Sequence, residues 1–119
     1  MTLLVHTFLP AADGEREFLE DPAYGQTLAG FESTRTRLWG SEAIRALGAR
    51  FFPRLDGHDL YVVPEEIDDF LAECDLVRPH LDQLAEQGGY EADYVAERFD
   101  NILVAARRAK SVGGGIVVW

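Results

Sequence analysis

The sequence predicts an α+β domain, a small mixed β-sheet of three to four strands with amphipathic helices packed on it. Apolar, strand-like runs at residues 3–9, 58–63 and 116–119 supply the sheet. Residues 92–110 place Val95, Phe99, Ile102, Leu103 and Ala106 at three- and four-residue spacing, which predicts a helix of about five turns with one buried stripe. With 119 residues, 47% of them apolar, and no internal repeat or linker, residues 1–119 read as a single compact domain.

Along the chain, Leu3, Val5, Thr7 and Leu9 alternate with Leu4, His6 and Phe8. Both faces are largely apolar, so the strand is expected to be central and covered on two sides. A short helix is expected around residues 16–19, stopped by Pro22. Residues 26–39 carry two competing patterns. Leu28, Phe31 and Leu38 allow a helical stripe, whereas residues 34–39 alternate like a strand. Ser41 is a suitable N-cap for a helix over residues 42–47, closed by Gly48. Asp56-Gly57 between two apolar runs signals a hairpin, although Pro53 demotes the first limb to an edge strand or loop.

Pro64 opens a helix whose first turns carry Glu65, Glu66, Asp68 and Asp69, where carboxylates favour the positive end of the helix dipole. Its buried stripe is expected at Ile67, Phe70, Leu71 and Cys74. Pro79 breaks this helix near Val77, and a second segment bearing Leu81 and Leu84 runs to Gly88-Gly89. The long path from Val63 to Ile116 is sufficient for a crossover between parallel strands.

Charge excludes several functions. The chain has 11 basic and 21 acidic residues, a net charge of −10. Nucleic acid and anionic membranes both demand a positive patch, so neither is expected as a partner. Residues 56–100 hold 14 carboxylates against Arg78 and Arg98, a net of −12. The single cysteine suits a reducing cytoplasm, and the opening residues have no basic stretch ahead of their apolar run, so no secretory signal is expected.

Familiar catalytic signals are missing. His6, His58 and His80 have no zinc-ligand spacing, and His58 between Asp56 and Asp59 is a weak ligand set, so neither a metal nor a cofactor is expected. His6 reads as a hydrogen-bonded core histidine. Cys74 on an inner stripe among acids has a disfavoured thiolate. Glu65, Asp69 and Glu73 stand at helical spacing but read as a solvated face. The Gly113 to Gly115 run follows a helix and leads into a strand, the reverse of a phosphate loop. No Gly-x-Ser-x-Gly elbow is present.

Residues 105–113 followed by Ile116-Val117-Val118 resemble the last helix and strand of barstar-type ribonuclease inhibitors, and Tyr24-Gly25-Gln26-Thr27-Leu28 resembles their Tyr-Gly-x-x-Leu segment. The likeness covers under a fifth of the chain. Where such inhibitors carry the acids that enter the nuclease site, this chain has Ala29 and Ser33, so the likeness serves as an analogy for how a small acidic α+β protein works.

Two functional expectations follow. The first is a non-enzymatic, cytoplasmic, acidic binding protein of the immunity type, which inhibits a basic toxin or nuclease domain through Asp56, Asp59, Tyr61, Glu65, Glu66, Asp68, Asp69 and Glu73. Exposed Tyr90 or Tyr94 would add aromatic anchors. The second is a small enzyme or ligand-binding domain that gathers Arg35, Arg37, Arg45 and Arg50 around an anionic small molecule, with His6 or His58 within reach. Internal pairing of these arginines with the acidic block is the competing account.

Overall fold

The computed structural model describes residues 2–10, 15–22 and 25–119. Its sheet has five strands: β1 (Thr2–Pro10), β2 (Arg16–Phe18), β3 (Leu28–Phe31), β4 (Leu60–Val62) and β5 (Gly115–Val118). The order is β2-β1-β5-β4, with β3 pairing the first half of β1 on the edge that β2 occupies further along. Every pairing is antiparallel. The α+β class holds, but the sheet is antiparallel where a mixed one was expected. The path from β4 to β5 runs through three helices, and so long a connection leaves strand direction free; the pairings Val5↔Val118 and Leu60↔Val118 set it.

The helices are α1 (Thr34–Arg37), α2 (Glu42–Ala46), α3 (Ile67–Val77), α4 (Leu81–Gly88) and α5 (Ala92–Val112). Ser41 caps α2 as expected, its hydroxyl accepting from the Ile44 N–H at 3.3 Å. Pro64 opens a single 3₁₀ turn ahead of α3, and Pro79 separates α3 from α4 through another. Gly89 and Gly113 end α4 and α5 in the left-handed conformation, at φ of 79° and 70°.

Two local expectations are corrected, and one open alternative is settled. Residues 16–18 form a strand, because pairing Phe18 with Phe8 outweighs a helical nucleus that so few residues cannot sustain. Residues 34–37 are helical, held by the Thr34 carbonyl accepting from Leu38 and Trp39, while the strand lies earlier, at β3. No hairpin forms at Asp56-Gly57: Pro53 lies at the start of a 3₁₀ turn over Phe52–Leu55, and β4 pairs with β5 instead.

All five helices belong to the side of the sheet that bears Leu3, Val5, Leu60, Val62, Ile116 and Val118. There Trp39, Phe52, Phe70 and Phe99 form an aromatic centre, with Trp39 stacked on Phe52 at 5.2 Å and its Nε1 donating to the Ala29 carbonyl. The Thr7 hydroxyl donates to the Ala105 carbonyl and fixes α5 against β1. The opposite face, with Leu4, His6, Phe8, Tyr61, Val117 and Trp119, has no helix on it among the described residues. The expected covering of β1 on two sides is therefore corrected: a helical layer packs on one face, and the other bears aromatic side chains of the sheet itself.

Candidate functional site

Four of the five arginines in residues 31–55 are engaged inside the fold. Arg35 lies on α1 and reaches the loop before β4, where it donates to the His58 carbonyl and pairs with Asp59 at 3.3 Å and with Glu32 at 2.7 Å. Arg45 on α2 pairs with Asp56 at 3.1 Å. Arg54 donates to the Tyr61 carbonyl at 3.4 Å and lies 3.5 Å from Glu66. Arg35 and Arg45 thus fasten the loop that carries Asp56, His58 and Asp59, and Arg54 holds β4 and the turn before α3. Arg37 turns elsewhere, donating to the Gly88 carbonyl at 2.6 Å with its guanidinium over Tyr90. Arg35, Arg37, Arg45 and Arg50 are thus not gathered in one pocket. His58 meets Arg35 only through its main chain, and His6 belongs to the far face of the sheet.

One open cleft of about 540 Å³ does unite members of both sets of expected site residues. It is lined by Arg50 and Arg54, by Glu66 and Asp69, and by Phe51 and Leu76. Glu73 also lines it, and is buried at 7% exposure rather than solvated as expected. The carboxylate accepts from three successive backbone amides, those of Arg50, Phe51 and Phe52, the last two at 2.9 Å. Three donors converging on one carboxylate offset the cost of its burial, and they tie the segment after α2 to α3. With both charges on its walls the cleft has no preference for an anion. Cys74, the next residue, is fully buried, and its thiol is pushed from 9.0 up to about 12, chiefly by burial, with Glu73 and Asp75 adding to the effect. It is inert as a nucleophile at neutral pH.

The expected acidic surface is divided by this pairing. Asp56, Asp59 and Glu66 answer arginines, and Asp68 answers Lys110 at 2.7 Å. Glu65 and Asp69 are exposed with no ion pair among the described residues. The paired acids at 56 and 59 take different arginines, and among the described residues no group of three or more His, Cys, Asp or Glu side chains could hold a metal ion. Tyr90 and Tyr94, expected to be exposed, are half-buried. They stack at 5.8 Å, with Ser33 bonded to the Tyr90 hydroxyl and the Phe31 amide donating to that of Tyr94. Phe31 is the exposed ring there, at 54%.

Tyr61 lies on the helix-free face together with His6, Arg16, Phe18 and Trp119. Trp119 donates through Nε1 to His6 Nδ1 at 2.9 Å, and Asp21 approaches His6 Nε2 at 3.4 Å. Both ring nitrogens are therefore engaged, as expected of a structural histidine, but on the open face and not in the core. Phe18 stacks on Trp119 at 5.4 Å, and Arg16 rests over Tyr61 at 4.3 Å. The apolar second face of residues 3–9 was the signal for this cluster. No helix of the described residues is long and apolar enough to cross a membrane. No protein-family model, no curated protein and no solved structure matches the chain.

Proposed function

We propose that this chain is a non-catalytic, acidic binding protein of the immunity type, which works in the cytoplasm by covering the cationic site of a basic toxin or nuclease domain. The observation that carries the proposal is an asymmetry in how charge is used. The arginines needed for an anion pocket are occupied within the fold, leaving only the side chain of Arg50 without a bonded partner among the described residues. Many of the carboxylates are not. Glu65 in the turn before α3, and Asp69, Asp75, Asp82, Glu86 and Asp93 on α3 to α5, are exposed and have no ion pair among the described residues. Such a field speeds the encounter with a cationic surface and suppresses encounters with anionic ones. The total accessible surface of 6523 Å² leaves room for an interface of about 800 Å² per partner.

The test is capture of partners from the native cell at low and high salt, with wild type beside a Glu65→Lys, Asp69→Lys variant, followed by assay of the captured protein's activity with and without the chain. Support is a basic protein that wild type retains and inhibits, that the variant loses, and that high salt releases. Capture indifferent to salt and charge reversal, or no inhibition of what is captured, sets the proposal aside.

A further inference from the structure

The helix-free face of the sheet is an aromatic platform, and we infer that it is a docking surface for an arginine-bearing segment of a basic protein. This inference rests on the reading of a basic partner and assigns that partner a second point of contact. On this face Phe18 is 44% and Trp119 39% exposed, large exposures for two rings that meet across the central strand β1. They stack on each other, while Tyr61 and His6 meet Trp119 edge-on at 6.4 and 5.9 Å. The Trp119 bond to His6 fixes the indole. Rings held in this way lose little freedom when a partner lands, as the central residues of an interface should.

Charge and chemistry name the occupant. The face takes a guanidinium already: Arg16 sits 4.3 Å above Tyr61 and 5.4 Å from the Phe8 ring, the arrangement in which a ring quadrupole attracts a cation. The edges of the platform are acidic. Glu20 and Asp21 follow β2 at one edge, and Glu65 follows β4 at the other. An arginine of a partner can therefore stack on Phe18 and Trp119 with carboxylates on both sides. Arg16 is a placeholder that competes for the same rings.

The probe is a short peptide of alternating arginine and leucine, with a glutamate–leucine counterpart, titrated into the full chain. Acrylamide quenching reports on Trp119, since Trp39 is fully buried, and amide NMR shifts locate the contact. The arginine peptide should shield Trp119 and shift amides of β1, β2 and β5, whereas the glutamate peptide should do neither. Phe18→Ala should weaken binding about 10-fold, as loss of an interface anchor does, and Arg16→Ala should strengthen it about 3-fold by removing the competitor. Phe18 is exposed, so its variant should fold; a Trp119→Ala variant followed by NMR gives an independent reading. The inference is overturned if the shifts map to α3 and α4, if the glutamate peptide binds equally, if Arg16→Ala weakens binding, or if the free chain dimerises through this face and takes no peptide. A captured basic partner sensitive to Glu65→Lys, Asp69→Lys but not to Phe18→Ala would overturn this inference and leave the proposed function standing.

Discussion

Replacing Glu73 should release the segment that links α2 to the 3₁₀ turn at Phe52. The carboxylate accepts from the amides of Arg50, Phe51 and Phe52 while almost wholly buried. A hydrogen bond to a charged group is worth about 1.5 to 3 kcal/mol, and a buried donor left without a partner costs about 1 to 3 kcal/mol. Three simple losses would sum above what is expected in practice, because the adjoining cleft admits water to some of the freed amides. A net destabilisation of about 3 to 5 kcal/mol for Glu73→Ala is therefore expected, and about half of that for Glu73→Gln, which keeps one acceptor oxygen but turns an NH₂ towards the same donors. Urea unfolding with an unchanged slope reads the loss directly. Hydrogen exchange at residues 50–52 should quicken more than at α5, because the bonds removed are local. A loss under about 1 kcal/mol for Glu73→Ala, with exchange at 50–52 unaltered, would refute the reasoning.

Phe99 on α5 packs fully buried against Phe52 and Trp39, so Phe99→Ala should cost about 3 to 5 kcal/mol in the same melts; under about 1 kcal/mol would show that the stripe is not core. At Gly115 a β-carbon would meet the Val62 carbonyl oxygen and the Phe8 ring, so Gly115→Ala should destabilise by roughly 1 to 3 kcal/mol, and a neutral result in the melts would contradict the close approach of β4 to β5. The Cys74 thiol ionises near 9.0 when exposed and near 12 in the fold. The unfolded chain thus loses its proton first, and the contribution is fully present below pH 9 and lost as pH rises towards 12. About 1.4 kcal/mol should be gone by pH 10, and Cys74→Ala should flatten that part of the profile; an equal slope in both proteins would refute it.

Elements governed by local spacing were legible in the sequence. Val95, Phe99, Ile102 and Leu103 announce α5, Ser41 announces the start of α2, and Pro79 marks the break between α3 and α4. Elements governed by distant partners were not. β2 is three residues whose only reason to be extended is β1, and β3 depends on pairing with the opposite end of the same strand. The candidate site divided in the same way. That Glu65 and Asp69 face solvent could be read from helical phase. The internal place of Glu73 was missed because a carboxylate was taken to face water, although residues 70, 73, 74 and 77 follow the buried period. The arginine pairs join α1, α2 and the 3₁₀ turn to a loop and to the start of α3, and no local pattern encodes them.

On the proposed function, the unpaired carboxylates meet a basic partner. The most direct measurement of this is the association rate of the captured partner with wild type and with the Glu65→Lys, Asp69→Lys variant, across a range of salt. The wild-type rate should fall about 10-fold or more from low to high salt, and the variant should be slow at low salt and nearly indifferent to it. Equal rates for the two proteins, unmoved by salt, would contradict it.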